Sequence, residues 1–179
     1  MAKRSSGKPI VRSFPPISTP DARVLILGTV PSIASLAKRQ FYGHPHNAFW
    51  RIMGELFGAG RDLPYDERKR ILGEHGVAVW DVLKQCERPG SLDTSICRAS
   101  EVPTNIAGFL RKHPQVRTIF FNGGKAESAF RQHVLPNVAK LKREFRYVRL
   151  PSTSPAHAGR SFAEKLEAWR EVERALEQI

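Results

Sequence analysis

The chain has 179 residues, with 29 Lys+Arg against 17 Asp+Glu, a formal net charge of +12, and a hydrophobic share of 41%. That length makes one domain with or without a tail, the hydrophobic share excludes a disordered chain, and no run approaches the ~20 apolar residues of a membrane span. Two cysteines, Cys86 and Cys97, cannot form a disulfide scaffold, which leaves a globular protein of a reducing compartment with a preference for polyanions.

Residues 1–20 carry Lys3, Arg4, Lys8 and Arg12, no acid, and Pro9, Pro15, Pro16 and Pro20. This composition predicts a flexible, extended basic tail without the apolar stretch of a signal peptide, followed by a single domain over residues 21–179. The apolar run at 24–27, closed by Gly28, predicts a buried strand. Phe49, Trp50, Met53, Leu56 and Phe57 fall on one face of a helix that Gly58 stops. Asp66 is positioned to cap a helix ending near Gly76, and a second strand follows over 77–80. Thr104 is positioned to cap a helix through Leu110, which Pro114 stops. A third strand covers 118–121, a helix runs on to about Leu135, and a fourth strand covers 145–150. Ser161 opens the last helix, whose stripe is Phe162, Leu166, Trp169, Val172, Leu176 and Ile179. Residues 160–179 hold four basic and five acidic groups, so this helix is expected on the face turned away from a polyanion.

Strands alternating with helices give an α/β fold with a parallel sheet covered on both faces. Ligands of such sheets bind beyond the carboxyl ends of the strands, so the segments after each strand are the candidate site. After the first come Gly28, Thr29, Val30, Pro31 and Ser32, either an ordinary turn or one whose backbone N–H groups face a ligand. This is neither a dinucleotide fingerprint nor a Walker loop. Phe41, Tyr42, Gly43, His44, Pro45, His46 and Asn47 precede the aromatic helix. Phe41 and Tyr42 are placed to stack on bases, Phe49 and Trp50 to pack in the core, and Asn47 to cap the helix. His44 and His46 lack the further ligands of a metal site, so no metal is expected. Asp81 ends the second strand. Asn122 ends the third, where an amide suits the lactam edge of a nucleobase, and Lys125 stands either against phosphate or in solvent. After the fourth come Pro151, Ser152, Thr153, Ser154, Pro155, Ala156 and His157, with Arg146, Arg149 and Arg160 nearby. A rigid loop of small residues flanked by arginines suits a wedge that enters a DNA groove and pushes a base out of the stack.

Together these blocks, with the stretch from Val79, Trp80, Asp81, Val82 and Leu83 to Arg88, Pro89, Gly90, Ser91, Leu92 and Asp93, resemble the uracil-DNA glycosylase superfamily. The nearest branch is the hypoxanthine-DNA (deoxyinosine) glycosylases, called family six. The resemblance implies a three-layer α/β/α sandwich around a four-stranded parallel sheet. It implies a monomeric, monofunctional glycosylase that flips a deaminated base, hypoxanthine or uracil, out of DNA and hydrolyses its N-glycosidic bond. No cofactor and no membrane partner are expected, and the expected location is the cytoplasm, with the nucleoid. Several branches carry a water-activating Asp or Asn where this chain has Val30; in the deoxyinosine branch the matching group is Asn47. Asn47 would then position the water, although capping competes for its amide oxygen, and Asp81 is the rival as a stronger base. His157 and the first loop would stabilise the leaving base. Phe49, by its place in the family pattern, or Phe41 would stack on the flipped base. A non-catalytic binder of damaged or single-stranded DNA is the alternative, which Val30 motivates, and an unrelated nucleotide- or RNA-binding module is a third.

Overall fold

A computed structural model describes residues 7–178 of the chain. They run through β1 (Ile10–Arg12), β2 (Val24–Gly28), α1 (Ile33–Lys38), α2 (Phe49–Phe57), α3 (Tyr65–Glu74), β3 (Val77–Asp81) and β4 (Leu83–Glu87). Then follow β5 (Val102–Pro103), α4 (Ile106–Lys112), β6 (Thr118–Asn122), α5 (Gly124–Ala129), α6 (Leu135–Ala139), β7 (Arg146–Leu150), α7 (Phe162–Trp169) and α8 (Glu171–Glu177). Four strands form a parallel sheet in the order β3-β2-β6-β7.

Side chains alternate across a strand, so each face of this sheet needs its own cover. Leu25, Leu27, Ile119 and Phe121 point into one core, which Ile106 and Leu110 of α4 and Ala126, Phe130 and Val138 farther on complete. Val24, Ile26, Val79 and Phe120 point into the other, packed by Phe49, Ile52 and Met53 of α2, Leu72 of α3 and Trp169, Val172 and Leu176 near the C-terminus. Each such side chain contributes about 1.5–3 kcal/mol by burial. The result is the expected α/β/α sandwich with all five residues of β2 buried. The aromatic helix ends as the sequence predicts, at Gly58 in the left-handed region with φ 76°.

A second, antiparallel sheet has the order β1-β4-β5. The chain leaves the main sheet through Val82, whose N–H donates to the Gly28 carbonyl at 2.8 Å, and Leu83 N–H donates to Thr29 at 3.1 Å. This exit ties the loop after β2 to the end of β3.

Several expectations are corrected. The segment read as a tail is folded from Ile10 onward: β1 pairs with β4, Ile17 bridges to Val79, and Val11 and Ile17 are buried. Lys3 and Arg4 lie outside the described residues. Pro64, not Asp66, stands at the N-cap of α3, with Asp66 in its first turn. Asn105, not Thr104, caps α4, its Oδ1 accepting Gly108 N–H at 2.9 Å. The helix after β6 is interrupted by a π turn at Phe130–Val134, just before Pro136, a residue with no N–H to continue the regular ladder. The last helix is capped by Ser161 with a full capping box but divides at Arg170. Ile179 lies outside the described residues. Among those residues, no helix is long and apolar enough to cross a membrane.

Candidate active site

The carboxyl ends of the parallel strands surround a pocket of about 270 Å³, lined by Gly28, Asp81 and Asn122, by the loops after β2 and β7, and by Phe41, Tyr42 and Asn47. Ligand pockets for drug-sized molecules span about 300–1,000 Å³, so this one suits a single small ring system.

Gly28 and Asp81 are register partners on β2 and β3. Asp81 is 3% exposed, and its Oδ2 accepts the Ser13 hydroxyl at 2.7 Å. No protein donor meets its Oδ1 among the described residues. A Cβ on Gly28 would lie 2.7 Å from both Asp81 Oδ1 and the Tyr42 hydroxyl, so the floor of the pocket exists only because residue 28 has no side chain. Burial, with the carboxylate of Asp93 acting in the same direction, pushes Asp81 up to about 7 from the ordinary 3.8, against the Ser13 bond and Arg88. Asp93, an exposed residue that lines the same pocket, bonds Thr29 through Oδ2 at 3.0 Å, and partial desolvation of its carboxyl raises it as well.

Arg88 is 1% exposed and donates to the Pro31 carbonyl at 2.5 Å and to Gly90 at 2.8 Å, pinning the loop after β2 against residues 88–93. Ser32 caps α1, taking Ser35 N–H at 3.1 Å. Pro31 and Ser32 therefore serve an ordinary turn and line the pocket as well.

Asn47 is half-buried at the pocket mouth, one residue before the N-cap of α2. Its Oδ1 accepts Phe49 N–H at 2.9 Å, which fixes which end of the amide is oxygen. An amide oxygen has two lone pairs. The expected competition between capping and holding a water therefore does not arise, since one lone pair orients the group and the other stays available.

Asn122 is placed as expected but is already engaged. Its Nδ2 donates to Thr153 Oγ1 at 2.8 Å and its Oδ1 accepts Thr153 N–H at 2.9 Å. Thr153 is 1% exposed, and its carbonyl takes Ala48 N–H at 2.9 Å. Thr153 is thus an interior anchor rather than a DNA-facing residue. The same loop is braced by Trp169 Nε1 on the Pro151 carbonyl at 2.9 Å and Lys165 Nζ on the His157 carbonyl at 2.8 Å. Its exposed tip is Pro155, Ala156 and His157, with Ser152 and Ser154 half-buried behind it, their hydroxyls accepting loop N–H groups. The middle and the end of α7 therefore support this loop.

Two more expectations fail. Phe49 is fully buried and does not reach the pocket. It stacks beneath Tyr42 with ring centroids 4.0 Å apart and meets Trp50 and Trp169 edge-on, so Phe41 and Tyr42 form the aromatic wall. Lys125 pairs with Glu101, whose side chain is 1% exposed and also meets His133 Nε2 at 2.7 Å. It neutralises a buried acid rather than facing phosphate. Arg149 lies 3.4 Å from Glu127, while exposed Arg160 has no ion-pair partner among the described residues. Sequence reasoning gave no site role to Ser13, Arg88 or Asp93, and read Tyr42 only as a loop aromatic that stacks on bases. The φ of 55° at Tyr42 turns its ring into the pocket wall and its hydroxyl behind Gly28, where it is buried without a hydrogen-bond partner.

The family model described as Uracil DNA glycosylase superfamily matches residues 15–173. The chain is 34% identical over 145 residues to a hypoxanthine DNA glycosylase of Methanosarcina acetivorans, covering 76% of this chain and 90% of that protein. It is 34% identical over 117 residues to a hypoxanthine DNA glycosylase of Methanosarcina barkeri, covering 64% of this chain and 72% of that one. A solution NMR structure of a candidate uracil DNA glycosylase from Methanosarcina acetivorans superposes with a TM-score of 0.72 at 31% identity, covering 92% of this chain and 99% of that one.

Proposed function

The chain belongs to the uracil DNA glycosylase superfamily, and on that premise we propose that this DNA glycosylase is monofunctional and removes hypoxanthine from DNA by hydrolysis. The observation that carries this reading is that one pocket is lined by two polar side chains of unequal burial, the half-buried amide of Asn47 and the 3%-exposed carboxyl of Asp81, and we take the more accessible one as nearer the mouth. A nucleotide turned out of a duplex enters base first, with its sugar held back by the backbone. The base then meets the floor and C1′ meets the mouth.

Cleavage of the bond between C1′ and the base puts positive charge on the sugar and negative charge on the base. A weak nucleophile suffices once that bond is largely broken, and Asn47 is placed to accept a hydrogen bond from a water below C1′. Its neutral amide takes no proton near pH 7, so its work is orientation. Val30, packed against the core, has no part in holding water. No lysine lines the pocket among the described residues, so no amine stands ready to attack C1′ and form a Schiff base, in keeping with hydrolysis alone. The braced loop with exposed Pro155 and Ala156 is suited to fill the space a flipped base leaves.

The test is an end-labelled duplex carrying one hypoxanthine or one uracil, incubated with the protein and then treated with alkali. Alkali-dependent cleavage at hypoxanthine is expected, with uracil removed more slowly or not at all. Strand breaks before alkali would overturn the monofunctional reading. Intact strands with both bases would overturn the activity.

A further inference from the structure

Asp81 is the one carboxyl at the floor of the pocket with an oxygen left open. Ser13 holds its Oδ2 at 2.7 Å, and no protein group bonds its Oδ1 among the described residues. Of the other polar groups nearby, both ends of the Asn122 amide bond Thr153 and Arg88 bonds two backbone carbonyls, while Asp93, which bonds Thr29 through Oδ2 alone, is an exposed residue, so Asp81 is the buried carboxyl with an open oxygen. Across the space that Gly28 leaves open lies the Tyr42 hydroxyl, wholly buried, with the Asn122 side chain as a polar neighbour but no hydrogen bond of good geometry among the described residues. A floor built this way lacks one polar group that a ligand would bring.

We propose that Asp81 acts on the leaving base and not on the water: as a neutral acid, with Oδ2 held by Ser13, it donates a hydrogen bond from Oδ1 to an acceptor atom of the purine, O6 or N7. This rests on the hypoxanthine reading given above. When the bond between C1′ and N9 breaks, its electron pair leaves with the base. The Oδ1–H donor stabilises that charge at the ring atoms where it spreads. The water oxygen bonds C1′ and gives up its proton to solvent, and the released base anion takes one up. An ionised carboxylate at this depth would oppose the same charge, so the acid form is the competent one. The groups that face Asp81 agree. Burial and Asp93 favour its neutral form, Ser13 and Arg88 oppose it without prevailing, and the Tyr42 phenol is held neutral by its own burial.

The test is single-turnover cleavage of a hypoxanthine duplex between pH 5.5 and 9 by the unmodified protein, Asp81→Asn and Asp81→Ala. In Asp81→Asn the Ser13 hydroxyl holds the amide oxygen and leaves –NH2 facing the base, so the donor survives without a titrating proton. The unmodified protein should lose rate as pH rises through about 7. Asp81→Asn should stay within roughly 10-fold of it at pH 7 and lack that alkaline loss, and Asp81→Ala should fall on the order of 100-fold. An inactive Asp81→Asn beside a native protein that loses rate toward acid would make Asp81 the water-activating base and overturn the proposal. An Asp81→Ala as fast as the native protein would overturn it too. If Asp81→Ala fails to fold, the pH profile of Asp81→Asn still decides. Absence of cleavage by the unmodified protein at every pH would instead defeat the functional reading itself.

Discussion

Asn47 combines a structural hydrogen bond with the water-positioning role proposed for it. Its Oδ1 bond to Phe49 N–H satisfies a free donor at the start of α2, and the same bond aims the rest of the amide at the pocket mouth. Truncation to alanine should therefore have two separable effects. Loss of the cap-like bond should cost about 1 kcal/mol of stability, visible as a modest shift in a denaturation midpoint. Loss of water orientation should lower the single-turnover rate on hypoxanthine by about 100-fold or more, far beyond what the stability change explains at a temperature where the variant is folded. A variant that keeps its full rate would transfer water positioning to another group. The unequal burial of Asn47 and Asp81, which sequence spacing left as rivals, is what the division of roles proposed for them rests on.

Rigidity at the scale of elements comes from one junction. Asn122 at the end of β6, Thr153 in the loop after β7 and Ala48 before α2 form a continuous chain of hydrogen bonds, closed by Trp169 on Pro151. Asn122→Ala leaves the buried N–H and hydroxyl of Thr153 without partners, at a cost of about 1–3 kcal/mol for each orphaned group. The loop after β7 and Asn47 should loosen together. The expected outcome is a lower melting temperature and a lower kcat/KM on hypoxanthine, with no change in which base is preferred, measured by thermal denaturation and cleavage of paired substrates. Altered base preference would instead return Asn122 to a base-reading role. This junction also marks how far the sequence could be read. β2 and α2 were plain because Val24 to Leu27 is a continuous apolar run and Phe49, Trp50, Met53 and Leu56 recur at helical spacing. β1 and α1 were not. β1 has three residues, of which only Val11 is buried, and α1 buries only Ser35 while Ile33 is exposed, so neither carries an apolar face to count. The strand-end rule placed Gly28, Asp81 and Asn122 correctly. It was silent on which of their atoms were free, because the partners that decide this lie 31 residues away for Asn122 and 68 for Asp81.

For the whole molecule, a net charge of +12 becomes informative only once the paired cations are set aside. Lys125 is bound to buried Glu101, Arg149 lies beside Glu127, and Arg170 and Arg174 are interleaved with Glu167, Glu171 and Glu173. Arg160 stands differently, exposed just beyond the loop after β7 and without an ion-pair partner among the described residues. Two residues of equal formal charge should therefore give opposite signatures. If Arg160 meets a phosphate, Arg160→Ala should weaken binding to any duplex and reduce the slope of log K against log salt by about 0.9, one counterion released fewer, with little change in melting temperature. Lys125→Ala should leave that slope unchanged and lower stability instead, because it strips a buried carboxylate of one of its two partners, a class of loss worth about 3–5 kcal/mol in fully buried pairs and less here, where Lys125 is partly exposed and His133 remains. Salt titrations of anisotropy on an undamaged duplex, run beside thermal denaturation of the same two variants, measure both quantities. A Lys125→Ala variant that reduces the salt slope while keeping its stability would move this lysine back to the DNA-facing surface and make its contact with Glu101 incidental.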